Sequence, residues 1–319
     1  MACLAIVGIL SIGDMGVGIA NLLIAHNYKV VTNIEGRSED TYDRAKKNNV
    51  EALPSDGALV EACDYIISIV PPRDAVEIAK RITTAYKYLS SPKPLYFLDL
   101  NAISPLRARE IASYIEATAP GIKHIDGGII GGPPSLKQDA EAWSVPNIPV
   151  SGPHELKEAP VSGAHLAETL NINHISPEIG PASGLKCCFA SLTKGYYALC
   201  IESFTTASNL GVFLLLEQLV EMRLPGMYKA SRGITAVPPK AYRWVREMEE
   251  IALAHAADGG FEGGQDGTGV FGEIAKVYKS VSEDTVLGEE KTERRERGLT
   301  VEDVAAAVSE GLVKKRNTA

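Results

Sequence analysis

The sequence predicts two domains of different class, a doubly wound, mostly parallel α/β sheet over residues 1–176 and an all-α domain over residues 177–319. Three observations carry this. Residues 5–23 read as an apolar strand, a glycine turn and an amphipathic helix, Ala5-Ile-Val-Gly-Ile-Leu-Ser-Ile-Gly-Asp-Met-Gly-Val-Gly-Ile-Ala-Asn-Leu-Leu23. Strand and helix signals then alternate to about residue 176, the pattern of a parallel sheet with helical crossovers. From Pro177 the strand signals stop and long helical segments take over.

In order, strands are expected at residues 4–10, 29–32, 65–70, 95–100, 123–126 and 147–150, with a further short one at 173–175. Helical periodicity falls between them at 17–26, 40–49, 72–88 and 105–118, the last opening on Pro105, where a missing amide donor costs nothing. In the second domain, residues 182–217 are too long for one ordinary helix, and Gly195 and Gly211 are the expected places for a break. Pro238-Pro239 precedes a helix at 241–257, and a glycine-rich connection at 258–269 leads to another at 270–281. A charged loop at 282–298 precedes a last helix opened by Thr300-Val-Glu-Asp303, a capping-box pattern.

Composition narrows the function. With 45% hydrophobic and 23% charged residues over 319 positions, the chain has enough apolar content for two cores. A formal net charge of −8 argues against a nucleic-acid partner, because neutralising phosphates needs a basic face; the clusters at 294–297 and 314–316 read as solvated surface. Five cysteines without a C-x-x-C pair read as small hydrophobes in a reduced, cytoplasmic protein. His154, His165 and His174 are nine or more residues apart, so no metal site is expected. Residues 1–10 are apolar but lack a basic leader and fall short of the roughly 20 residues of a membrane span, so no membrane association is expected.

The glycine turn has the chemistry of a Rossmann dinucleotide site. Glycines let the backbone approach a pyrophosphate, and the unpaired amides of the helix's first turn, around Gly13, Asp14, Met15 and Gly16, point at the anion. The usual G-x-G-x-x-G would place glycine at 11, 13 and 16; here position 11 is Ser11, whose hydroxyl is able to bond a phosphate. About 20 residues on, the second strand ends in Thr32-Asn-Ile-Glu-Gly-Arg-Ser38, where the adenosine ribose is read. Arg37 and Ser38 favour the 2′-phosphate of NADP; Glu35 keeps NAD open.

Three further segments lie at strand C-terminal ends, the edge where an open sheet binds ligands: Val70-Pro71-Pro72, Asp99-Leu-Asn101-Ala-Ile-Ser-Pro105, and Asp126-Gly127-Gly128-Ile-Ile-Gly131-Gly-Pro-Pro134. The last is suited to presenting bare amides to a carboxylate or phosphate. At the start of the helical domain, Lys186, Ala190, Thr193 and Tyr197 share one helix face, with Lys194 on its flank. A lysine on a small, apolar face is suited to proton transfer once desolvation favours its neutral form.

Together these elements resemble the β-hydroxyacid dehydrogenase family, which includes 6-phosphogluconate and 3-hydroxyisobutyrate dehydrogenases. Gly13-Asp-Met-Gly16 resembles its G-x-M-G, residues 101–105 its nicotinamide-side loop, residues 126–132 its substrate loop, and residues 180–186 its G-x-G-x-x-x-K helix start. The C-terminal half resembles a branch whose helical domain has no assigned function. The resemblance implies hydride transfer between a small hydroxy acid, or its keto form, and NADP(H), with Lys186 as general acid or base and the protein a homodimer. It also implies that Asp126, Gly127, Gly128, Gly131, Thr193 and Lys194 bind an acidic substrate, and that Ser11 to Gly16, Thr32, Arg37, Ser38, Val70, Pro71 and Asn101 hold the cofactor. This chain departs from the pattern at Ala190, where the family has asparagine, and at residues 128–130, where it has proline, valine and serine. Two alternatives stay open, an imine reductase-like enzyme and a cofactor-binding protein without turnover.

Overall fold

The computed structural model describes residues 3–136, 142–263, 268–291 and 294–318. Two compact units divide the chain between Cys187 and Cys188. In the first, β1 (Ile6–Leu10) leads through the glycine turn into α1 (Asp14–Ala25). Then come β2 (Lys29–Thr32), α2 (Glu39–Lys47), β3 (Glu51–Ala52), α3 (Asp56–Ala62), β4 (Tyr65–Ser68), α4 (Ala75–Lys87), β5 (Leu95–Asp99), α5 (Pro105–Thr118) and β6 (Ile122–Gly127). β7 (Ser135–Leu136), β8 (Trp143–Ser144), β9 (Ile148–Ser151), α6 (Gly163–Thr169) and β10 (Ile172–Ser176) follow, and α7 (Pro181–Asn209) starts in the first unit and continues into the second.

Eight strands form one sheet in the order β10-β9-β6-β5-β4-β1-β2-β3. The first six are parallel and lie 3-2-1-4-5-6, the doubly wound order whose switch point falls between β1 and β4. Both faces are covered. Val7, Ile9, Ile67 and Leu98 belong to one buried cluster, and Leu10, Val31, Ile66 and Phe97 to the other. Burial on both faces is why these strands read as unbroken apolar runs. The sheet is not parallel throughout: β9 runs antiparallel to β6, with Asp126 opposite Ser151, and β10 follows β9 in parallel.

All seven expected strands form, with ends shifted by two residues or fewer. The two-residue strands β3, β7 and β8 and the helices α3 and α6 were not expected. For α3 a signal was present, since Ser55 Oγ accepts from the Ala58 amide at 3.1 Å as an N-cap. The second unit is helical, with α8 (Phe213–Arg223), α9 (Pro225–Ser231), α10 (Ala241–Ala257), α11 (Gly269–Glu283) and α12 (Val301–Thr318). The long segment breaks at Gly211, whose φ of +71° ends a helix, and runs straight through Gly195. At α12 the Thr300 hydroxyl accepts from the Asp303 amide at 3.1 Å, while the Asp303 carboxylate turns to Arg297 and the Gly298 amide instead of closing the box. Parts of the connections at 258–269 and 282–298 lie outside the described residues. Among the described residues no helix is long and apolar enough to cross a membrane, and no cluster of His, Cys, Asp and Glu is arranged to hold a metal. Cys63, Cys187 and Cys200 are buried, as small hydrophobes should be, but Cys3 and Cys188 are exposed.

Two buried ionisable groups in the sheet oppose each other in their pH dependence. On β5, burial and the neighbouring Asp126 raise the Asp99 carboxyl to about 7, against hydrogen bonding from Asn101. On β6, burial lowers His124 to about 4, and neither ring nitrogen has a partner among the described residues. Asp99 stays protonated in the fold above its unfolded pKa, so its contribution is complete below about 4 and is lost as pH rises towards 7. His124 stays neutral below its unfolded pKa, so its contribution is complete above about 6.5 and is lost as pH falls towards 4. Asp99→Asn keeps an acceptor for the Asn101 amide and removes the titration. Its stability relative to the wild type should therefore climb as pH rises from about 4 to about 7 and level off above. Melting curves of both proteins across that window check this, and parallel curves would refute it.

Candidate cofactor cleft and lysine site

Ser11 adopts φ +80°, the left-handed region that a residue with a β-carbon enters at a cost on the order of 1 kcal/mol. The turn itself demands this conformation. A methyl group at Gly16 would sit 2.1 Å from the Ser11 carbonyl oxygen, so the helix start and the turn touch backbone to backbone. Gly13 is the N-cap of α1 and brings no side chain to cap it, leaving the first-turn amides for a ligand. Asp14 is exposed and Met15 packs against the core, so what they offer at this turn is backbone.

Beside the turn is a cleft lined by Ser11, Gly13, Glu35, Arg37, Thr41, Arg44, Val70 and Arg81, among others. Three arginines converge there, of which sequence reasoning found one. Arg44 reaches it from α2, where its Nη1 donates to the Ile12 carbonyl at 2.8 Å. Arg81 comes from α4 and is held by Asp56 through bonds of 2.9 and 3.0 Å, with Asn33 on the same carboxylate at 2.6 Å. Among the described residues the Arg37 guanidinium has no ion-pair partner, and Arg37 is exposed after a tight turn closed by its amide on the Ile34 carbonyl at 3.0 Å. Arg37 is thus the uncommitted cation of the cleft.

Several residues expected to meet the cofactor through their side chains are engaged elsewhere. Thr32 is buried and donates to the Ile9 carbonyl at 2.7 Å, tying β2 to β1. The Ser38 hydroxyl pairs with Thr41 Oγ1 at 3.2 Å. Asn101 accepts from the Val70 amide at 2.7 Å and donates to Ser68 Oγ at 3.0 Å, which clamps the loops after β4 and β5 together. Pro71 caps a short 3-10 turn at Pro72–Asp74.

At the loop after β6, the Lys186 ammonium donates to the Ile129 carbonyl. Its stem lies over Gly128, where a methyl group would come within 2.7 Å of Lys186 Cβ. Gly127 is equally confined, with Leu100 and Val150 at 2.6 and 3.0 Å from the same hypothetical methyl. The Gly128 amide, expected to face a substrate, instead donates to the Pro149 carbonyl at 3.1 Å, so this residue supplies space rather than a hydrogen bond. Gly131 needs its φ of +136° to turn past Pro146.

Asp126, expected to bind substrate, is held by groups of the protein itself. It is fully buried and accepts from Ser151 Oγ at 2.8 Å, the Gly180 amide at 3.0 Å, the Ser183 amide at 3.3 Å and the Ser183 hydroxyl. Such a carboxylate has no face left for a ligand. Burial still raises its pKa, against the pull of those donors. In the helical unit, Thr193 spends its hydroxyl on the Phe189 and Ala190 carbonyls, and Lys194 pairs with Glu247 beneath the Trp244 ring, 4.7 Å from its centroid. Both are thereby occupied with partners other than the substrate group expected of them.

A 3-2-1-4-5-6 sheet with a glycine turn after β1 and a basic cleft after β2 defines the class of NAD(P)-dependent dehydrogenases and reductases. Residues 6–141 match the NAD binding domain of 6-phosphogluconate dehydrogenase, and residues 207–281 match a domain of unknown function, DUF1932. This pair of domains matches the β-hydroxyacid dehydrogenase family, in the branch that carries this helical domain. It is 28% identical over 265 residues to an uncharacterized 28.5 kDa protein of Methanothermus fervidus, covering 76% of this chain and 91% of that one. Its fold is similar to that of the 3-hydroxyisobutyrate dehydrogenase of Mycobacterium tuberculosis solved with L-serine, with a TM-score of 0.64, 17% identity, and 97% and 99% of the two chains covered. An imine reductase from Myxococcus stipitatus in complex with NADP+ is similar at a TM-score of 0.51 and 16% identity, over 87% of this chain and 93% of that one. A variant of that reductase is in complex with NAD+.

Proposed function

We propose that this protein is an NADP(H)-dependent oxidoreductase acting on a small hydroxy acid or its keto form, with Lys186 as the proton-transfer group. The observation that carries the reading is the placement of the Lys186 ammonium on the glycine loop after β6, at the carboxyl edge of a dinucleotide-binding sheet. When bound, the nicotinamide supplies the hydride acceptor or donor. The protein's residues do the rest. The first-turn amides of α1 hold the pyrophosphate, and Arg37 takes the 2′-phosphate. Along residues 128–131, Gly128 and Ile130 turn their amides to Pro149 and Asn147. The amides of Ile129 and Gly131 are the ones this reading gives to an acidic substrate group. Lys186 accepts the hydroxyl proton in oxidation and returns it in reduction.

The test is a panel of 2- and 3-hydroxy acids, including 3-hydroxyisobutyrate and L-serine, with keto acids and imines, followed by reduced-nicotinamide absorbance. Turnover of an acid supports the reading. NADPH binding without any turnover supports the non-catalytic alternative, which the strained Ser11 and the buried Ala190 favour. Turnover of imines alone supports the reductase alternative.

The protein acts as a homodimer in this reading. None of α8 is buried, and Leu214 and Met222 are 68% and 63% exposed, an apolar surface that a second copy of the chain would cover. Light scattering should give twice the 34.1 kDa chain mass, and Leu215→Glu with Met222→Glu should halve it. A monomeric wild type would remove the dimer.

A further inference from the structure

We propose that Asp126 is a positioning residue that sets the Lys186 ammonium by capping α7 from a neighbouring strand. The inference rests on the reading of Lys186 as the proton-transfer group. A helix start leaves its first amides without partners, and a side chain at the N-cap ordinarily takes one or two of them. Here the residue before α7 is Gly180, at φ +116°, and a methyl group there would meet Arg109 Nη1 at 2.9 Å and Pro105 Cβ at 3.2 Å. Only glycine fits, so the helix brings no cap of its own.

Asp126 supplies it. Its Oδ2 accepts from the Gly180 and Ser183 amides and from Ser151 Oγ, and its Oδ1 accepts from Ser183 Oγ. Ser151 Oγ in turn accepts from the Ala182 amide at 3.1 Å, so three amides of the helix start end on one carboxylate and its serine. A carboxylate is the form that suits this place, because the helix start is the positive end of the dipole and charge-assisted bonds are the strong ones.

Lys186 follows Ser183 by three residues and Ala182 by four, so it stands one turn above the anchored amides on the same face. Its stem and ammonium meet Gly128 and Ile129, two and three residues past Asp126. One short stretch, 126–129, therefore fixes both the helix start and the end of the lysine. Loss of the anchor lets the first turn slide, and a shift of about 1 Å at a reacting group costs roughly a hundredfold in rate.

The test needs no substrate. Full-length wild type, Asp126→Ala, Asp126→Asn and Ser183→Ala are treated with dilute acetic anhydride, and acetylation of Lys186 is followed by mass spectrometry against the exposed Lys229. Lys186 should react several-fold faster in Asp126→Ala and in Ser183→Ala and more slowly in Asp126→Asn than in Asp126→Ala, since asparagine keeps an acceptor for the amides without the charge; NADPH affinity should be unchanged throughout. Should Asp126→Ala fail to fold, Ser183→Ala carries the comparison, because it removes one donor and keeps the carboxylate. A folded Ser183→Ala whose Lys186 reacts as in wild type, or a rise that Lys229 shares, overturns the proposal. A lysine without a catalytic role would show itself separately, as undiminished turnover in Lys186→Ala.

Discussion

Lys186→Ala is expected to lower turnover by about a hundredfold or more, the scale of a lost general acid or base, while NADPH affinity stays within a few-fold. The asymmetry follows from the geometry. The dinucleotide cleft is built at the ends of β1, β2 and β4 by residues such as Ser11, Arg37 and Val70, and Lys186 is not among them. Alanine keeps the helix, since it is the best helix former, and the anchored amides of Gly180, Ala182 and Ser183 do not depend on the lysine side chain. What is removed is the proton partner held at the Ile129 carbonyl. Steady-state rates with any acid that turns over, set beside a fluorescence titration with NADPH, separate the two effects. Unchanged turnover would end the catalytic assignment.

Arg37→Ala should weaken NADP binding by roughly ten- to a hundredfold, the equivalent of one charge-assisted hydrogen bond, and leave NAD nearly untouched. The other arginines of the cleft are poor substitutes. Arg44 is drawn to the Ile12 carbonyl and Arg81 to Asp56, so moving either to a phosphate breaks an existing bond. Glu35 lines the same cleft, and without Arg37 its negative charge faces the 2′-phosphate unopposed. Paired dissociation constants for NADP and NAD decide the matter. Equal losses for both would mean that Arg37 does not see the 2′-phosphate.

How much of this was legible beforehand depends on the range of the forces involved. The strands at 29–32 and 95–100 and the helix at 105–118 were readable because hydrophobic period and a first-turn proline are local signals. Strands such as Glu51–Ala52 form because the sheet edge offers them a ladder, and two residues carry no period of their own. Ser11 stands where the fingerprint has glycine, yet the left-handed conformation is present all the same, at the close passage of Gly16. Asp126 is legible as a strand-end residue, but its bonding is not, since its four donors come from residues 25 to 57 positions further along the chain. A hint was available in the helix start itself, where a glycine N-cap with Ser183 three residues on implies a cap supplied from elsewhere. Arg44 and Arg81 lie on helices well past the second strand, and only the winding of the chain brings them beside Arg37.

The reversal of β9 against β6 bears on which changes this chain would tolerate. Because Asp126 stands opposite Ser151, a slip of that pair by one residue would turn Ser151 to the other face of the sheet and strip the helix anchor of a donor. Added or deleted residues between β8 and β9 are harmless if the ladder holds its alignment, whereas a single insertion inside residues 147–151 shifts the lysine without touching it. Variation in length should therefore accumulate on one side of Asn147 and be purged on the other, so that the placement of a proton depends on how two strands are counted past each other.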